Sequence, residues 1–137
     1  MSINYVSVAA AAAASWVFGA VYYGALGKRW MAALGKTKAE IETQHGKKSP
    51  PLFALILSFA AEALMAAVLY GLIFHIAGGP NIRPSLVTAG FAWVGFVVTV
   101  LATNHAYQQA KPSLTLIDSG HWLGVLLIQG LVIGAIG

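Results

Sequence analysis

PLFALILSFAAEALMAAVLYGLIFHIA, residues 51–77, is the stretch that decides the fold. It contains one ionisable acid, Glu62, near its middle. At ~1.5 Å of rise per residue a helix here is ~40 Å long, enough to cross a ~30 Å hydrocarbon core with some tilt. Glu62 then lies ~16 Å from the start of the run, close to the bilayer midplane. A charged acid at that depth costs ~2.5–3.5 kcal/mol, which makes Glu62 a candidate functional residue by default.

The rest of the chain has the same character. Of its 137 residues, 58% are hydrophobic and only 9% are charged, against about 25% charged in soluble domains. The composition reads as one integral membrane domain, residues 1–137. There are no cysteines, which excludes disulfides, thiolate catalysis and cysteine metal sites. The opening run has no basic segment ahead of its apolar residues and continues to Gly27, so it is expected to be a full span and not a cleaved signal.

Four spans are expected, at residues 3–27, 51–77, 85–107 and 114–136, with short turns that make neighbours antiparallel. The fold class is therefore an all-α, four-helix membrane bundle. The first span carries Ser15, Gly19, Ala20 and Gly24, the third carries Thr88, Ala92, Gly95, Thr99 and Thr103, and the fourth pairs Gly120 with Gly124 and Gly130 with Gly134. Small residues at such spacings let helices approach closely where lipid removes the hydrophobic drive between them. In the hydrophilic segment 28–50, Thr37 followed by Glu40 has capping-box spacing and predicts a short helix over 38–45, stopped by Gly46. Ser49 and Pro50 fit an N-cap and first-turn proline for the second span, and Ser113 fits an N-cap for the fourth.

Charge sets the expected orientation. Lys28, Arg29, Lys36, Lys38, Lys47 and Lys48 lie in the first loop and Lys111 in the third, against Arg83 alone on the opposite side. The positive-inside rule puts both termini outside, N-out/C-out. Topology thus accounts for the net charge of +4, and nucleic acid is not an expected partner; lipid headgroups are.

Chemistry is sparse. Glu62 shares its depth with Ser15, Trp16, Phe96, Thr99, Val125 and Gln129, none of them basic. Desolvation favours the neutral acid, which is expected to donate a hydrogen bond to Ser58, Thr99 or Gln129. Three roles stay open for it: neutral interhelical glue, a proton or cation site on a transport path, or a contact with another subunit or cofactor. Near the cytoplasmic interface Tyr22, Tyr23, Trp30, Asn104, His105, Tyr107, His121 and Trp122 gather, either as an aromatic belt or as a cytoplasm-facing cleft built on Asn104, His105 and His121. A two-histidine haem has only His105 and His121 at one depth, with Asp118 one turn before His121 to orient it. His75, at the outer end of the second span, is a candidate axial ligand, and Gly71 four residues earlier leaves room for a flat, chlorophyll-type pigment. No cofactor is required by any of these patterns. Nor is there an HExxH, a G-x-S-x-G or a phosphate-binding loop, so an enzyme is the least supported class.

WVFGAVYYGALGKRWMAALG, residues 16–35, and ATNHAYQQAKPSLTLIDSGHWLGVLLIQGLVIGAIG, residues 102–137, carry a resemblance. The first resembles the tryptophan–glycine–tyrosine, glycine–basic–tryptophan, leucine–glycine pattern of a family of small bacterial membrane proteins, domain of unknown function 1761. In the second, Asn104 and Tyr107 match that family's asparagine–aromatic pair before a glycine-rich last span. The resemblance implies four spans and a multi-pass place in the bacterial inner membrane, and it carries no activity. From the residues, the leading expectation is small-solute, ion or proton transport centred on Glu62. A four-span monomer is thin-walled for a path, so transport implies a homo-oligomer. The alternative is a non-catalytic subunit of a larger membrane complex, associated with pigment or lipid.

Overall fold

The computed structural model describes residues 2–45 and 52–137. Its helices are α1 (Tyr5–Leu34), α2 (Lys38–His45), α3 (Leu52–Ala77), α4 (Ile82–Ala92), α5 (Val98–Tyr107) and α6 (Pro112–Ile136), with a π-helical turn over Trp93–Val97 joining α4 to α5. Among the described residues, α1, α3, the continuous α4–α5 segment and α6 are each long and apolar enough to cross a membrane. The architecture is that of a multi-pass, all-helical membrane protein.

Helix ends explain where the chain departs from its hydropathy. α1 starts on Asn4, whose side chain accepts from the backbone N–H groups of Val6 and Ser7 at 3.1 and 3.3 Å. It does not stop at Gly27, the expected end of the first span, but continues to Leu34. An interior glycine costs a helix only about 1 kcal/mol, and Met31, Ala33 and Leu34 continue the apolar pattern. The stop is Gly35, at φ 73°, where the Gly35 and Lys36 N–H groups donate to Ala32 and Met31 carbonyls. The Lys111 ammonium adds a further bond to the Ala32 carbonyl at 3.1 Å.

Thr37 caps α2 as spaced, though its reciprocal bond to Glu40 is made by the hydroxyl. Glu40 N–H donates to the Thr37 hydroxyl, which in turn donates to the Glu40 carboxylate. The expected stop at Gly46, and the Ser49–Pro50 start of the second span, lie outside the described residues. The third span begins at Ile82, three residues early, because a proline in the first turn has no intrahelical N–H to lose and Pro84 is accommodated there. The fourth begins with Pro112, so Lys111 and not Ser113 is its N-cap.

Both chain ends meet. Asn4 Nδ2 and the Tyr70 hydroxyl both donate to the Gly137 carbonyl, at 3.0 and 3.1 Å. We call this the terminal end and the opposite one, with the α1–α3 connection and Lys111, the basic end. α6 is the central element, packed on α1, α4 and α3, while α3 sits between α1 and α4. Gly130 and Gly134 allow the α4 contact: a Cβ on Gly134 would stand 2.7 Å from Ile82 Cα and 2.8 Å from the Asn81 carbonyl oxygen.

The apolar core of Val8, Ala11, Ala66, Leu69, Tyr70, Ile73, Ala89, Leu126 and Ile133 belongs to the terminal half. Toward the basic end, packing thins. Large apolar side chains from Leu52 to Leu57 are exposed, and among the described residues α5 packs mainly on α6 outside its own span and buries His105.

Candidate functional site

Two groups of polar residues lie inside the bundle. The first is at mid-depth. Glu62 is 2% exposed and faces the interior of its own bundle, which answers the question its depth alone left open. Gln129, fully buried on α6, donates to the Ser15 hydroxyl at 3.1 Å and to the Glu62 backbone carbonyl at 3.0 Å. The Ser15 hydroxyl also donates to the Ala12 carbonyl. The Oε1 atoms of both Glu62 and Gln129 are buried without a partner.

Of the three expected partners of the Glu62 carboxyl, Gln129 is beside the residue but bonds its backbone, and the other two are elsewhere. Ser58 accepts from Trp16 Nε1 at 3.1 Å and donates to the Leu55 carbonyl. Thr99 is exposed and donates to the Gly95 carbonyl one turn back. The reason is the π turn, where an extra residue rotates the following helix. Thr88 stays buried while Gly95, Thr99 and Thr103 of the same small-residue row face outward.

The second group is at the basic end and draws on three spans. Tyr23 on α1 donates to Asp118 Oδ1 on α6 at 2.7 Å. His105 on α5 places Nε2 3.8 Å from Asp118 Oδ2, too long for a hydrogen bond but within ion-pair range for a protonated ring. His105 Nδ1 is 2.7 Å from the Thr115 hydroxyl, and Tyr22 donates to the Ile117 carbonyl at 2.6 Å. Asp118 is thus the hub on which α1, α5 and α6 converge.

His121 does not join His105. Its ring lies against Phe18, Tyr22, Tyr23 and Trp122, with centroids 4.6–6.2 Å away. Gly19 and Gly124 provide that closeness: a Cβ on Gly19 would stand 2.9 Å from His121 Nε2, and one on Gly124 would collide with the Phe18 ring.

Asn104, expected to share a cleft with His105 and His121, is exposed while both histidines are buried. Successive residues on a helix point about 100° apart, so when His105 turns into α6 its neighbour Asn104 is left exposed, and Tyr107 is 87% exposed. Trp30 borders the group through Tyr23. His75 is exposed near the terminal end. Among the described residues no three His, Asp or Glu side chains converge as a metal would need.

Sequence reasoning overlooked Thr115 and Trp93 and assigned Asp118 to His121 alone. The spacing Thr115–Asp118, one helical turn, was the available signal, since it puts a hydroxyl and a carboxylate on one face. An expected result follows. Tyr23→Phe and Asp118→Ala should each destabilise the folded protein by about 1–2 kcal/mol, and the double variant by less than their sum. Reversible unfolding in mixed micelles measures that coupling; strict additivity would mean that the Tyr23–Asp118 bond contributes nothing.

In comparisons with curated proteins and with solved structures, nothing matches this chain. A family model does: the one described as protein of unknown function (DUF1761) matches residues 6–134, nearly the whole bundle including both polar groups. The chain therefore belongs to the DUF1761 family.

Proposed function

We propose that this protein is a proton-linked transport or permeation protein of the bacterial inner membrane, with Glu62 as its midplane protonatable group. One observation supports the reading above the rest. Enclosed polar atoms without partners recur at every depth: Ser7 and Ser85 hydroxyls toward the terminal end, Glu62 Oε1 and Gln129 Oε1 at mid-depth, His121 Nδ1 and the Ser119 hydroxyl toward the basic end. Inside a bilayer each such group costs up to several kcal/mol. A bundle that only had to cohere would place apolar side chains at these positions. A solute, proton or water chain passing along the interior would satisfy them in turn.

Between Gln129 and His121, ~12 Å of α6 is lined by the buried Val125 and Leu126 and by Gly124 under the Phe18 ring. In this reading that apolar stretch is the closed gate. The seven-to-one charge bias supports an orientation with both termini outside. The outward row of Gly95, Thr99 and Thr103 suits packing against a second copy in the lipid, which supports a homo-oligomer.

The test is flux. Purified protein is reconstituted in vesicles with a trapped pH-sensitive dye, and a potassium diffusion potential drives protons. The wild type should relax the internal pH faster than protein-free vesicles. Glu62→Gln should fall to the protein-free rate while its unfolding midpoint stays close to wild type. Equal rates for wild type and Glu62→Gln, or no wild-type flux, would sink the reading.

A further inference from the structure

We propose that the groove between α5 and α6 at the basic end is a binding site for an uncharged amphiphile, held through its carbonyl oxygens. The ring of a quinone and the ester head of a neutral lipid share that chemistry. It shares one atom with the transport reading, the unpartnered Ser119 hydroxyl, and its binding test does not depend on flux.

The groove has a volume of about 600 Å³, within the ~300–1,000 Å³ range of small-molecule sites. Its origin lies in the sequence. Ala102, Ala106 and Ala110 recur four apart along α5 and its end, and all three line the wall. Larger side chains at this spacing would fill the volume. The π turn at Trp93–Val97 contributes the other end. There Trp93 donates Nε1–H to the Ser119 carbonyl at 2.8 Å, which pins its flat ring at the head of the groove, where it also lines the wall. Such turns frequently mark functional positions in transmembrane and soluble helices alike.

Polar groups converge on one side. His105, Thr115 and Ser119 all line the groove. His105 is 9% exposed, and Ser119 is 6% exposed with a hydroxyl that has no partner. When His105 Nδ1–H donates to Thr115, the threonine O–H is free to give to a ligand; when the threonine donates, the ring proton is on Nε2, 3.8 Å from Asp118 Oδ2. The site therefore offers donors and asks for acceptors.

Charge narrows the ligand further. Among the described residues no Lys or Arg lines the groove, and the ammonium of Lys111 is turned to the Ala32 carbonyl of α1. Asp118 stands behind His105. A phosphate or free carboxylate would face that acid with no cation among the described lining residues to offset it. A neutral carbonyl meets the hydroxyls of Thr115 and Ser119, with apolar Val98, Leu116 and Leu123 for its tail.

The experiment is equilibrium dialysis of the detergent-solubilised protein with two probes, a benzoquinone bearing one isoprenoid unit and dioctanoylglycerol. One of the two should bind saturably and stoichiometrically, and which one does so identifies the source. Ala106→Leu, at an exposed position on the lightly packed α5, should weaken that binding by about tenfold or more. Ser119→Ala should weaken it by a smaller factor. Should Ala106→Leu lower the unfolding midpoint, Ala102→Leu provides the same obstruction for the same measurement. Non-saturable partitioning of both probes overturns the proposal, as does saturable binding that both leucine variants leave unchanged.

Discussion

Gly134→Val should not yield a folded bundle. The obstacle to a side chain there is backbone, Ile82 Cα and the Asn81 carbonyl, both under 3 Å from where a Cβ would sit. A flexible side chain could swing aside, but a helix start fixed by the Ser85 N–H to Asn81 carbonyl bond cannot without moving α4. Separating α4 from α6 also opens the Gly130 contact, where a Cβ would already touch the Ser85 carbonyl at 3.0 Å. Overpacking typically costs about 1–3 kcal/mol, and a clash against backbone belongs at or above the upper end of that range. Gly24→Ala is the control. Nothing lies within 4 Å of a Cβ at Gly24, so the alanine should be neutral or stabilise α1 by about 0.5–1 kcal/mol. Folded yield in gentle detergent and unfolding midpoints in mixed micelles distinguish the two. Wild-type stability in Gly134→Val would show that α4 and α6 are not held at this distance.

Glu62→Lys carries the second large effect. The residue is enclosed by its own bundle, and the nearby side chains, Ser15 and Gln129, bring no negative charge. A lysine ammonium in that place would be a buried charge without a counter-ion, worth about 3–5 kcal/mol of destabilisation. Glu62→Gln keeps the shape and stays neutral, and should remain within about 1 kcal/mol of wild type. The contrast matters more than either value. If the lysine variant were as stable as the glutamine one, its side chain would have found water or headgroups, and Glu62 would have to be reached from outside the bundle.

Which of these features the sequence could reveal follows from what a bilayer constrains. Four apolar stretches must be helices because lipid offers no partner for the backbone, so the spans and the antiparallel arrangement are legible from hydropathy. Glycine pairs four apart in the last span point to close contacts, and Gly130 and Gly134 make theirs with α4. Depth is also legible, since rise per residue is fixed. Azimuth is not. Ser58 and Thr99 stand near the height of Glu62 on other faces, and Thr99 is displaced by a π turn that leaves no mark in composition. The same blindness grouped Asn104 with His105, adjacent in sequence and about 100° apart in space. Helix ends were legible only where a cap has a sequence signature, as with Thr37 and Glu40; the first span was expected to end with its apolar run at Gly27, while the helix runs on to Leu34 and stops at Gly35 with positive φ.

The central place of α6 has a consequence for how the chain is made. Synthesis proceeds from the N-terminus, and the helix that touches all the other spans emerges last. Until it arrives, α1 and the third span have almost no surface in common, and Ser15 and Glu62 wait in the membrane without the amide of Gln129. Before that, α3 can already pack on α1 and on α4, but α1 and the third span meet only through it. The bundle then closes in one late step, when α6 slots between partners already in the bilayer.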